Sequence, residues 1–226
     1  LEGFIENLNV VLEYKELFIR GFFNTILLTS SGVLFGLILG LFLGLGKLSE
    51  KALLRIPAKI YVDIFRGTPL FVQILLIHFA LIPTIFEGIG KTVPGPLVSG
   101  IVALSLNSGA YIAEIFRAGI QSIDRGQMEA ARSLGMTYKQ AMRNVIIPQA
   151  FKRMLPPLGN EFIALLKDSS LLAIIAVNEL AYAGFITAKS TFIRWGPYTT
   201  VALLYFVLTM VFSQLVTYLE RRFSTE

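Results

Sequence analysis

The 226-residue chain has no cysteine, one histidine and one tryptophan, and only 15% of its residues are charged. Without cysteine there is neither a disulfide framework nor thiolate chemistry. The one histidine, His78, lies in an apolar run with no second imidazole to share a metal or complete a Ser-His-Asp triad, so a packed or pore-lining ring is expected. A phosphate loop is missing as well. The stretch from Gly40 to Ser49 looks like one, but Leu41 stands where the first glycine is required and Leu48 where a Ser or Thr is required. Charge is absent over the longest distances: none lies between Arg20 and Lys47, and none between Arg194 and Glu220. Each gap exceeds the roughly 20 residues that cross about 30 Å of hydrocarbon.

What is present fits a membrane protein: 54% hydrophobic residues and a mean hydropathy of +0.68. The fold class read from this pattern is all-α and polytopic, with five transmembrane helices over about 22–45, 58–82, 97–119, 154–177 and 199–219. Residues 1–20 form a separate unit, an amphipathic helix in the membrane interface. They lack the basic start, apolar core and cleavage site of a signal peptide. Residues 21–226 then make one membrane domain. In its first span Gly32, Gly36, Gly40 and Gly44 recur every four residues, a groove for close approach of another helix. In the second, Gly67-Thr68-Pro69 predicts a break about 10 Å beyond Lys59, near mid-membrane, where a freed carbonyl needs a partner. Residues 178–198 read as a connecting segment with Trp195 as an interfacial anchor.

The longest polar stretch runs from Asp124 to Pro148. Asp124 with Gln127 and Thr137 with Gln140 each have the spacing of a capping box, and Gly135 between them suits a left-handed helix stop. Two short helices turning about Gly135 are therefore expected. Lys and Arg number four in 47–59, six in 120–153 and two at the C-terminus, against five on the other side. The positive-inside rule puts the Gly135 turn and the C-terminus in the cytoplasm and the N-terminus outside. The net charge of +5 thus follows topology, and nucleic acid is not an expected partner.

Glu129-Ala130-Ala131, Gly135 and Ile147-Pro148 resemble the EAA loop of permease subunits of ATP-binding-cassette importers. Phe65-Arg66-Gly67-Thr68-Pro69-Leu70, Tyr111 to Arg117 and Leu165 to Leu171 are similar to the polar amino acid uptake branch, with Ser169 where Thr is usual. The resemblance implies that 120–150 is a coupling segment in which Glu129, Ala130, Ala131 and Gly135 engage a cytoplasmic ATPase. It also implies a dimer of ATPases that bind ATP and Mg, a second permease subunit (identical or a close paralogue), an extracytoplasmic binding protein and a bacterial inner-membrane location. No cofactor belongs to this chain, which is a transport subunit and not an enzyme.

Polar residues inside the spans are the candidates for solute handling. Thr68, Gln73, Asn107, Ser108, Asn160 and Glu161 lie near the expected midplane and are read as solute-binding. Asp63, Arg66, Glu114 and Arg117 share one shallow level and are read as a structural or gating ion cluster. Lys167 and Asp168 stand further out as an outer gate or a helix tether. Seven-residue spacing puts Asn160, Glu161, Lys167 and Asp168 on one face. An acid beside Asn160 on that face suggests a basic amino acid as solute, unless a base of the same chain pairs with Glu161. Two rival functions remain at this point: an ion- or proton-coupled secondary amino acid carrier using Glu161 or Asp168, and a membrane scaffold whose helix pair recruits a soluble partner.

Overall fold

The computed structural model describes residues 2–223; Leu1 and residues 224–226 fall outside that range. Eleven α-helices, with short π and 3-10 segments between some of them, make up the described chain. Helix α1 covers Glu2–Glu13 and α2 covers Lys15–Leu48. The first helix is therefore shorter than the 1–20 unit expected. It ends at Tyr14, and Lys15 to Arg20 already belong to the first long helix. Asn7 accepts a hydrogen bond from the Gly196 amide at 2.6 Å, which ties α1 to the start of the last helix.

Helix α2 and helix α6 (Pro96–Gln121) form the spine. Gly32, Gly36, Gly40 and Gly44 are all buried, as the four-residue spacing predicts. A Cβ at Gly32 would stand 2.9 Å from Leu104, one at Gly36 2.9 Å from Ser108, and one at Gly40 2.7 Å from Ile112. Both series advance in fours, so the helices run parallel with backbone against side-chain base. Real Cβ atoms do not approach so closely, so only glycine permits this contact.

The second crossing begins later than expected. Helix α3 is Ala52–Gly67, and the segment long and apolar enough to cross is Leu70–Gly88. It consists of α4 (Leu70–Leu76), a π segment (Ile77–Leu81) and α5 (Ile82–Gly88). The break at Gly67-Thr68-Pro69 is present, but it precedes this apolar crossing instead of dividing it. The cause lies in α3, whose Arg55, Lys59, Asp63 and Arg66 make it too polar to extend the crossing.

After α6 come α7 (Arg125–Ser133) and α8 (Tyr138–Ala141), a π segment (Met142–Ile146), α9 (Ile147–Asp168) and a 3-10 turn (Ser169–Ile175). Residues 178–198, expected as a connector, contain helix α10 (Leu180–Thr191). It is bent 43° from the rod that ends at Ile175, and together the two are long and apolar enough for one broken crossing or a re-entrant loop. Ala176 makes the bend with φ of 58°. Helix α11 runs Trp195–Phe223. Four helices are long and apolar enough to cross, and counting the bent pair as one span reaches the five expected. Leu28, Ile74, Leu104, Leu165 and Leu172 meet in the central core between α2, α4, α6 and α9.

Candidate functional site: a charged cavity and an exposed helical knuckle

The ion cluster gathers on Glu114 of α6. Lys47, at the end of α2, bonds Oε1, while Arg117 bonds Oε2 through Nε at 3.1 Å and Nη2 at 2.8 Å. Arg66 Nη1, from α3, stands 3.7 Å from the same Oε2. Its guanidinium carbon lies 5.4 Å from the Tyr111 ring centre. Lys47 was not among the residues expected here, because in sequence it reads as part of a basic loop 67 positions away. Asp63 was expected and is absent from the cluster. It follows the buried Val62 by one residue, about 100° around the helix, and is exposed.

The residues read as solute-binding separate into two groups. Gln73 Nε2 donates to the Phe65 carbonyl at 2.8 Å and to the Thr68 carbonyl and hydroxyl at 3.0 and 2.9 Å. Asn107 Nδ2 donates to Gln73 Oε1 at 2.8 Å. Phe65 is the residue whose carbonyl Pro69, lacking an N–H, cannot engage. Gln73 is thus the partner that the proline break requires, and the buried Gln73 and Asn107 amides brace the break against α6.

Glu161 belongs to the other group. Together with Arg66, Tyr111, Glu114, Ala118, Arg153 and Pro157 it lines a cavity of about 520 Å³ between α3, α6 and α9. Among the described residues no Lys or Arg comes within ion-pair distance of Glu161. Ser108 is fully buried against Gly36, and its hydroxyl has no hydrogen-bond partner. Arg153, also absent from the expected set, donates to the Ser122 carbonyl at the end of α6. Asn160 is exposed. Lys167 and Asp168 are exposed too and form no ion pair among the described residues, since side chains of adjacent helical residues diverge.

Glu179 was missed altogether. It is fully buried at the start of α10, accepting from the Ala181 and Tyr182 amides at 2.9 and 2.6 Å and from the Tyr205 hydroxyl at 2.5 Å. A carboxylate at a helix start is a readable signal, but its burial by α2 and α11 is a tertiary fact.

The polar stretch forms the knuckle that its caps predict. Asp124 accepts from the Gly126 amide at 2.7 Å, and Thr137 with Gln140 forms a complete capping box. Gln127 does not complete the first box. It accepts instead from Gln149 of α9 at 3.3 Å, pinning α7 to that helix. Gly135 has φ of +84°, with its amide bonded to the Arg132 carbonyl and that of Met136 to the Ala131 carbonyl. Ala131 is buried, Glu129 and Ala130 are exposed, and Leu134 and Tyr138 project from the tip at 82% and 63% exposure.

Residues 32–225 match the family described as the binding-protein-dependent transport system inner membrane component. The chain belongs to that family. It is therefore a permease subunit of an ATP-binding-cassette importer. The chain is 37% identical over 216 residues to the probable glutamine ABC transporter permease protein GlnM of Bacillus subtilis, covering 96% of this chain and 97% of the relative. It is 37% identical over 206 residues to the glutamine transport system permease protein GlnP of Escherichia coli, covering 91% and 92%. The fold matches that in the crystal structure of an amino acid ABC transporter with histidines at 45% identity and a TM-score of 0.86, covering 94% and 96%. Family membership displaces the secondary-carrier and scaffold readings.

Proposed function

We propose that this permease subunit carries a polar amino acid with a basic side chain inward across the bacterial cytoplasmic membrane by alternating access. The observation that carries the substrate reading is Glu161, a carboxylate on the wall of the 520 Å³ cavity with no base of its own chain paired to it. An acid on a cavity wall within the membrane domain, left without a basic partner, favours a cationic ligand. The likeness to a transporter crystallised with histidines agrees with this. The glutamine named for the relatives favours a second reading, a neutral polar amino acid held by the same cavity.

Energy comes from outside the chain, which has no nucleotide motif. Two ATPases seat the knuckles of two permease subunits, identical or paralogous, with Glu129 to Gly135 in their clefts. The exposed Leu134 and Tyr138 at the tip give those clefts an apolar anchor. An extracytoplasmic binding protein delivers solute to the face that carries the N-terminus, and the C-terminus lies in the cytoplasm. Closure of the ATPase pair on ATP moves the knuckles and opens the cavity outward; hydrolysis returns it.

Vesicles reconstituted with the permease, its ATPase and its binding protein test the substrate reading. Uptake of arginine, histidine and glutamine is measured for the unmodified chain and for Glu161→Gln. The expected result is a fall of about tenfold in the ratio of arginine to glutamine uptake, the loss of one charge contact in a shielded site. An unchanged ratio removes Glu161 as selector, and a ratio that favours glutamine from the start supports the neutral reading.

A further inference from the structure

The Glu114 carboxylate offers two oxygens to three cations. Lys47 takes one, and Arg117 takes the other with two hydrogen bonds. Arg66 approaches that second oxygen only to 3.7 Å, beyond hydrogen-bond distance, and among the described residues its guanidinium donates no hydrogen bond. The cluster holds more positive charge than Glu114 neutralises, and Arg66 is the member whose donors are unoccupied. Arg153, the other base on the cavity wall, is engaged by the Ser122 carbonyl.

Three features prepare Arg66 to receive an anion. Its side chain is 44% exposed and lines the cavity. The Tyr111 ring supports the guanidinium at 5.4 Å and helps to hold its plane. It is also anchored in the last turn of α3, immediately before the break that Gln73 holds. A planar, permanently charged fork with free donors is the group that binds a carboxylate through two parallel hydrogen bonds. The same cavity carries Glu161, so it presents a cation and an anion together. An amino acid is a zwitterion and presents the complementary pair.

We propose that Arg66 is a solute-binding residue that receives the α-carboxylate, while Glu161 meets the cationic end. This rests on the amino acid reading above but not on the preference for a basic side chain, since every amino acid has the carboxylate. It assigns Arg66 to recognition and leaves Lys47 and Arg117 as the structural partners of Glu114.

Calorimetric titration of the purified permease–ATPase complex tests the assignment with two matched pairs. Arginine is compared with agmatine, and glutamine with 4-aminobutanamide, each second compound lacking only the carboxylate. The unmodified complex should bind the amino acid at least about tenfold more tightly than its decarboxylated partner in whichever pair it binds. Arg66→Gln should bring that ratio close to one. A ratio near one in the unmodified complex overturns the proposal, as does a variant that weakens both members equally and leaves the ratio intact. Should Arg66→Gln fail to assemble, Arg66→Lys, which keeps the charge but loses the planar fork, must lower the ratio about threefold or more; an unchanged ratio again overturns it. Discrimination in the glutamine pair alone would sink the basic preference and leave the Arg66 assignment standing.

Discussion

At Gln73 one amide replaces the hydrogen bond that Pro69 removes. Replacing it by alanine orphans the Phe65 carbonyl and takes the acceptor from Asn107. Two buried groups without partners cost about 2 to 4 kcal/mol together. Gln73→Ala should therefore lower the thermal unfolding temperature of the detergent-purified complex by several degrees, and Gln73→Glu should not restore it, because a carboxylate cannot donate to a carbonyl. Glu179 stands in a similar position at the start of α10. Glu179→Ala removes a cap worth about 1 to 2 kcal/mol and leaves the Tyr205 hydroxyl without its acceptor. Tyr205→Phe deletes only the hydroxyl and should cost less in the same melt; equal losses would show that the cap contributes nothing. The need for a partner at the proline break was legible in the sequence because proline acts locally. That the partner is Gln73 was not, since the same side chain reads equally as a solute ligand until its neighbours are seen.

The helices show which signals travel from sequence to structure. Caps and stops do: the Thr137–Gln140 box and the left-handed Gly135 are set by neighbours a few residues apart. The four-residue glycine series does as well, because it needs only one partner of any identity. Helix α10 does not, because a short run bounded by Glu179 and Phe192 takes its helical form from burial against α2 and α11. The ion cluster is a mixed case. Arg117 reaches Glu114 from the same helix and was foreseen, whereas Lys47 arrives from the end of α2. Gly40→Leu would drive a side chain into Ile112, and well-folded protein should be lost from detergent extracts, with size-exclusion profiles as the measurement. Gly135→Val forces a β-branched residue to a φ of +84°, strained by about 1 to 2 kcal/mol, although its Cβ stands in open space. It should leave the fold intact and reduce ATPase stimulation by solute-loaded binding protein; full stimulation would show that the knuckle tolerates another turn.

For the whole molecule the informative relation is between knuckle and cavity. Helix α9 joins them: its Arg153 and Glu161 line the cavity, while its Ala150 and Met154, with Ile146 just before its start, pack against Ile123 next to the knuckle. In the proposed cycle, motion imposed on α7 would reach the wall of the cavity through this one rod. Leu134→Asp at the exposed tip should weaken retention of the ATPase about tenfold or more in co-purification while leaving the melt of the permease unchanged.

The contact between α2 and α6 limits how that motion can proceed. Their matched notches come every four residues, about 6 Å apart along the axis. Sliding by less than one notch would set glycine against the wrong tooth, and sliding by a whole notch would unseat both ends. The pair is thus a latched stave that can lean but not creep, and in the proposed cycle the opening and closing of the pathway would fall to whatever pivots around it.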